Sequence, residues 1–351
     1  MASLAWSVSL LLTLVWSGAA VTLRHTLESV TGTSRPTLLV VLYVAILVLL
    51  HEIGALALGY YGGFVLDRRY GLSTQTARHW LADQGKSVLL TFMLGAAAAA
   101  LIYWTIRVSQ TWWWLLSGAT FALLIAAMAN LAPVLLLPLF YTIKPLGRDE
   151  LRRRLLALAE RAGARVLGIY EWGLGDKTRK ANAALTGLGA TRRILVSDTM
   201  LADYSDDEIE VVLAHELAHH VHGDIWKGLL FESALMLAGF FVAAQVLALA
   251  GPRFGLAHPG DVAGLPLLLL SAGAVSLVMV PAAHALSREH ERRADRFALE
   301  LTRNPAAFVS AMRRLGQQNL AESEPSKLVE WLFHSHPPLS ERIAAANAFR
   351  S

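Results

Sequence analysis

Apolar residues in this chain gather into six long runs, set apart by short polar loops and two extended polar stretches. Leu4–Leu23, Ser87–Ile106 and Val108–Ile143 carry no charge. Thr37–Leu66 is interrupted only by His51 and Glu52, Leu229–Gly251 only by Glu232, and Val262–Leu286 only by His284. Each run exceeds the roughly 18 apolar residues that a helix needs to cross a bilayer. The pattern predicts about six transmembrane helices, with Pro133 and Pro138 ending the fourth. No basic residue precedes Leu4, so the first run is expected to be retained as a span and not cleaved as a signal.

The polar stretches follow different periodicities. Leu151, Leu155, Leu158 and Ala162 recur at helical spacing and predict an amphipathic helix over Asp149–Ala162. Val166–Trp172 and Arg193–Val196 read as strands, with 182–188 between them and Gly173, Gly175, Gly187 and Gly189 as punctuation. Two or three such strands make a small sheet. Ser205 and Glu208 have the spacing of a capping box, and Asp206 and Asp207 suit a first helical turn. Further helices are expected over Ser287–Leu301, Pro305–Leu315 and Leu339–Phe349. The expected fold class is therefore mainly α: a polytopic membrane helical protein with a small α+β core. The membrane region is assigned to 1–138. A second domain is assigned to 139–351, with two further spans near 229–251 and 262–286.

Composition supports the membrane assignment. Of the 351 residues 55% are hydrophobic and 17% charged, and the mean hydropathy is +0.45. Soluble domains carry more charge. There is no cysteine, so any bound metal must be held by nitrogen and oxygen. The net charge of +4 is spread along the chain without a basic arm, which argues against nucleic acid as a partner. Lysine and arginine cluster after the second and fourth runs: Arg68, Arg69, Arg78 and Lys86, then Lys144, Arg148, Arg152, Arg153 and Arg154. The positive-inside rule then puts 67–86, 144–226 and 287–351 on the cytoplasmic side.

The chemistry lies in His215-Glu216-Leu217-Ala218-His219. Two imidazoles four residues apart share one helix face and can grip one ion, while the adjacent carboxylate can take a proton from water. A catalytic zinc site needs a third protein ligand. Glu291 and His290 both offer one, and the local sequence does not choose between them. Asp295, one turn beyond Glu291, can orient a ligand histidine.

The HELAH motif, then Ser287-Arg288-Glu289-His290-Glu291-Arg292-Arg293-Ala294-Asp295, then His334-Ser335-His336-Pro337-Pro338-Leu339-Ser340-Glu341-Arg342, resembles the membrane zinc metallopeptidases of the CAAX prenyl protease type. The heat-shock protease HtpX belongs to the same superfamily. The resemblance implies that 139–351 is a peptidase domain with a zincin-like catalytic core, with Zn²⁺ as cofactor, His215, His219 and Glu291 as ligands, Glu216 as base and Asp295 behind the ligands. Arg69–Lys86 and Arg192–Leu201 are also similar to the prenyl-protease branch, and Asn182 matches an asparagine that holds substrate. The chain departs from that pattern at Arg179-Lys180-Ala181, where serine and histidine are usual, and at Ala184, where an aromatic residue is common.

The expected activity is therefore peptide hydrolysis at the cytoplasmic surface of the membrane, with peptide or protein substrates and lipids as partners. The compact size points to a bacterial plasma membrane. Substrates would be C-terminal or lipidated peptides, or membrane proteins under quality control in the manner of HtpX. His336 or Arg342 could stabilise the oxyanion. His220 and His222 are expected to be bystanders. His51 and Glu52 either pair with a neighbouring helix or line a polar chamber with Glu232 and His284. A catalytically silent scaffold or chaperone is the competing class, set against the presence of every expected active-site side chain. The sequence is silent on oligomeric state.

Overall fold

The computed structural model describes residues 2–31, 35–187, 192–318, 322 and 324–349. Gly189 lies outside them. The chain divides into two compact units. The first comprises Met1–Asp67, Thr76–Ile125 and Leu230–Val278, and the second Arg68–Gln75, Ala126–Leu229 and Met279–Ser351.

The first unit is helical. Among the described residues five helices are long and apolar enough to cross a membrane: Pro36–Arg69, Ala77–Val108, Trp113–Phe140, Asp224–Phe254 and Val262–Thr302. The first apolar run departs from expectation. It forms two helices, Ala2–Trp16 and Ala19–Thr31, bent by 72°. The break falls at Ser17-Gly18, where Gly18 has φ +73°, a left-handed conformation that only glycine adopts cheaply. Side chains close the packing: Tyr43 donates to the Ala20 carbonyl, and Tyr103 to the Asp261 and Val262 carbonyls.

Two further expectations shift in detail. Pro133 does not stop the fourth helix, which runs from Trp113 to Leu135. The proline lies in its last turn, where Leu136 N–H still reaches the Ala132 carbonyl. Ser287–Leu301 is not a separate helix, because a single helix of 38 residues extends from Leu265 to Thr302.

The second unit is built on a four-stranded sheet, β1 (Ile143–Pro145), β2 (Ile169–Trp172), β3 (Ala183–Thr186) and β4 (Arg193–Ser197), in the order β1-β2-β4-β3. β1 is antiparallel to β2, β2 parallel to β4, and β3 antiparallel to β4. β3 therefore forms an edge of the sheet. Its neighbour β4 is almost wholly buried. The helix Asp149–Arg161 packs Leu151, Leu155 and Leu158 into the same core as Ile194 and Val196 of β4, and as Ile209, Leu213 and Leu217 of the helix Asp206–Val221. That last helix carries the HELAH motif. It begins at the anticipated capping box, with both reciprocal Ser205–Glu208 hydrogen bonds formed, and it stops at His222-Gly223, where Gly223 has φ +66°. The chain restarts as a new helix at Asp224.

Candidate metal centre

The motif helix turns its i and i+4 imidazoles to one side. The His215 and His219 rings lie 5.0 Å apart and nearly perpendicular. Glu291 comes to them from the helix Leu265–Thr302. Its Oε2 lies 3.2 Å from His215 Nε2, and its Oε1 3.3 Å from His219 Nε2. Among the described residues these three form the group able to hold a metal, with donor atoms all within 4.8 Å of one another. His290, the rival ligand, points elsewhere, with its Nε2 3.7 Å from Asp224 Oδ1.

The far side of each ring is tied to a carboxylate. His215 Nδ1 meets Asp295 Oδ1 at 2.9 Å, and His219 Nδ1 meets Asp224 Oδ2 at 3.1 Å. A proton held at each Nδ1 leaves the Nε2 lone pair facing the centre, as metal ligation requires. Both carboxylates are themselves fixed. Arg342 holds Asp295 with two hydrogen bonds, Nε–Oδ2 at 2.8 Å and NH2–Oδ1 at 2.6 Å. Lys227 and Arg293 hold Asp224 at 3.2 and 2.9 Å.

The donor set suits zinc. Glu291 Oε2 is buried and has no hydrogen-bond partner. His215 Nε2 and His336 Nδ1 lie within 3.2 and 2.9 Å of it, but neither contact has the alignment of a hydrogen bond. A buried carboxylate oxygen facing imidazole lone pairs is costly unless a cation sits between them. Two nitrogens and one carboxylate, with no fourth protein ligand in the group, match the open donor set of a catalytic zinc.

Glu216 stands beside the ligands with its carboxylate against the edge strand, where the Leu185 N–H donates to it. Burial raises its carboxyl above the ordinary range, and Glu291 adds to this against the opposing pull of His215 and His219. In His215, burial alone would lower the imidazole. The hydrogen bond to Asp295 and the close approach of the Glu291 carboxylate outweigh it and raise the group to about 9.

The remaining predicted residues gather at a cleft of about 760 Å³, which Asn182, His336 and Arg342 all line, facing an aromatic wall of Tyr141 and Trp172. Those two rings meet edge to face at 5.5 Å. His336 is exposed, with Nδ1 towards Glu291. Arg342 reaches the centre through Asp295, and its NH2 stays 3.8 Å from Glu291. His220 and His222 stand aside: burial lowers both imidazoles, and His222 packs edge to face on Phe297. His51 pairs with the first helix, its Nε2 3.0 Å from Ser7 Oγ. Asp224 had no place in the site from sequence reasoning. The signal available was its spacing: five residues past His219, just beyond a glycine that turns the chain back.

Comparison with known proteins agrees with this architecture. Residues 145–350 match the model of peptidase family M48, and residues 1–142 match the CAAX prenyl protease N-terminal model, described as five membrane helices. An uncharacterized metalloprotease, YhfN of Bacillus subtilis, is 33% identical over 288 residues, covering 81% of this chain and 68% of the relative. CAAX prenyl protease 1 of Saccharomyces cerevisiae is 28% identical over 316 residues, covering 83% and 68%. The crystal structure of Ste24p from S. mikatae superposes with a TM-score of 0.84 at 23% identity, covering 93% of this chain and 80% of that one. The chain belongs to peptidase family M48, and it is a multi-pass membrane protein with the CAAX prenyl protease type of fold.

Proposed function

We propose that the protein is a zinc endopeptidase that cuts extended peptides laid along β3, with its catalytic core at the cytoplasmic surface of a bacterial plasma membrane. Residues 1–138 form the membrane region and 139–351 the peptidase domain. The observation that carries this reading is the convergence of His215, His219 and Glu291 beside a half-buried Glu216, with a carboxylate behind each histidine.

Bound there, zinc supplies Lewis acidity to a water molecule and to the scissile carbonyl. Glu216, made more basic by burial, accepts the water's proton and returns it to the leaving amine. Leu185 N–H keeps that carboxylate at the strand edge. Asp295 and Asp224 hold the ligand rings, and Arg342 locks Asp295 from behind. His336, exposed and aimed at the ligand cluster, is placed to stabilise the oxyanion.

Substrate binding follows from the sheet. Ser197 N–H bonds to the Asn182 carbonyl, so the alternation of an antiparallel pair turns the backbone groups of Ala183 and Leu185 away from β4; the Leu185 N–H goes to Glu216, and the Ala183 N–H and both carbonyls face the open edge. A peptide strand added there would be held by main-chain hydrogen bonds largely independent of its side chains. Likeness to the yeast CAAX prenyl protease 1 favours C-terminal, lipidated peptides as substrates. Processing of such segments is preferred over quality control on that ground.

The test is metal analysis and proteolysis on purified protein. The wild type should carry about one zinc per chain and cleave model peptides, while Glu216→Gln should keep the zinc and lose cleavage by ~10³-fold or more. Retained cleavage by Glu216→Gln would remove the base, and a zinc-free wild type that still cuts would remove the mechanism. A silent scaffold would cut nothing in either form.

A further inference from the structure

Placing 67–86, 144–226 and 287–351 on the cytoplasmic side leaves four basic side chains in the loops of the opposite face: Arg24, Arg35, Arg107 and Arg253. Such loops are usually poor in lysine and arginine. Three of the four nevertheless converge. Arg24, Arg35 and Arg107 line one cavity of about 190 Å³ in the membrane unit, together with Glu28, Asp261 and His258. Arg24 comes from the helix Ala19–Thr31, Arg35 immediately precedes the helix Pro36–Gly59, and Arg107 lies in the last turn of Ala77–Val108.

The three guanidiniums are not equivalent. Arg24 is engaged: it donates to Asp261, whose carboxylate also accepts from the Ala257 and Ala263 N–H groups at 3.1 and 3.0 Å. The Arg24 Nε stands 3.9 Å from Glu28, which the His25 imidazole approaches at 3.6 Å. Among the described residues the Arg35 and Arg107 guanidiniums have no hydrogen-bond or ion-pair partner. The loop that closes the cavity is packed tightly, since a Cβ at Gly260 would come 3.1 Å from the Ile106 side chain. Three guanidiniums against two carboxylates leave the site one positive charge in excess. A singly charged anion complements it.

The surroundings say which anion. Leu39 and Val40, in the first turn after Arg35, form an apolar wall of the cavity. Trp104, one turn before Arg107, and Trp112 are 55% and 57% exposed, as in the aromatic belt at the headgroup level of a bilayer. The cavity therefore lies where lipid phosphates meet acyl chains. The guanidinium fork matches two oxygens of a phosphate, and basic pockets between membrane helices take anionic headgroups. Free phosphate would leave the apolar wall uncovered.

We propose that Arg35 and Arg107 bind the phosphodiester of an anionic phospholipid of the phosphatidylglycerol type, in the leaflet opposite the cytoplasm. Choline lipids are disfavoured there, because their ammonium brings a further positive charge to the arginines. The site is independent of the peptidase reading.

The test titrates full-length protein in neutral detergent with short-chain phosphatidylglycerol, with phosphatidylcholine of the same chains, and with inorganic phosphate. Binding is read by native mass spectrometry and by the shift in thermal midpoint. Phosphatidylglycerol should bind ~10-fold or more tighter than phosphatidylcholine, as charge-assisted hydrogen bonds warrant, and equal inorganic phosphate should not displace it. Arg35→Gln and Arg107→Gln should each weaken its binding several-fold, and together they should abolish the preference. Arg253→Gln, the same charge change outside the cavity, should leave the preference intact. Midpoints without lipid show whether each variant folds, and if the double variant does not, single variants that bind as the wild type does would overturn the proposal. Equal binding of the two lipids, or a preference that survives the loss of both arginines, would also overturn it. So would an equal loss in Arg253→Gln, which would make the preference a matter of net charge. Displacement by equal inorganic phosphate would make the ligand a free anion and remove the lipid.

Discussion

At the scale of single residues, the centre depends on what stands behind the ligands. Asp224 fixes His219 from the first turn of a separate helix, with Lys227 and Arg293 holding it in place. Asp224→Asn should lower zinc affinity by about 10–100-fold while leaving the fold intact, as measured by competition with a chromophoric chelator. Proton competition adds a pH dependence. The metal-free His215 imidazole is raised to about 9 through Asp295 and Glu291. Its folded-state value lies above the unfolded one of ~6.5. Protonated His215 therefore stabilises the metal-free protein fully below ~6.5, and that contribution fades as pH rises through 9. Zinc must displace the same proton, so apparent zinc affinity should rise as pH climbs from 6.5 to 9 and then level off. A flat profile in the same competition assay would contradict the Asp295–His215–Glu291 arrangement.

At the scale of elements, the motif helix and the edge strand can be tested separately. Glu208 closes the capping box and also accepts from Ser310, at 2.6 Å. Burial alone would raise its carboxyl, but bonds from Ser310 and Ser205 and the nearby Arg314 bring it below the ordinary range. A depressed carboxyl stabilises the fold above its unfolded value and loses that contribution as pH falls through the folded one. Glu208→Ala should therefore destabilise the solubilised protein by ~1–2 kcal/mol at neutral pH, and by less below pH 4, seen as a shift in thermal midpoint. In β3, Leu185→Pro removes the N–H that contacts Glu216. Cleavage should collapse while zinc content stays near one per chain. The capping box and the strand β4 were legible in sequence because local rules set them. β1 was not, since three residues containing a proline show no alternation. The two helices of the first apolar run were not either, because hydropathy measures length and apolarity but not the bend at Gly18.

At the scale of the whole molecule, a zinc ion held by the proposed site would join helices that are far apart in the chain. The candidate ligands His219 and Glu291 enclose a long loop, so chelation should lower the thermal midpoint by several degrees, and stoichiometric zinc should restore it. Cytoplasmic placement of the core rests on the loop arginines and lysines. The chain has no cysteine, so single cysteines can be introduced without background. Ser73→Cys should react with an impermeant thiol reagent only from the cytoplasmic side, and Ser109→Cys only from the opposite side. Labelling of Ser73→Cys from outside the cell would invert the topology.

Hydropathy runs, helix caps and the spacing of HELAH are properties of neighbouring residues, and the sequence by itself determined them: a multi-span helical protein with two imidazoles on one helix face and a carboxylate beside them. Local spacing left Glu291 and His290 open and the resemblance pointed to Glu291; tertiary packing brings Glu291, and not His290, to the two imidazoles. A shift of one residue turns a side chain by about 100° around a helix, and only the neighbouring helix says which direction is inward. The same holds for Asp224 and Arg342, whose roles come from where folding ends their side chains.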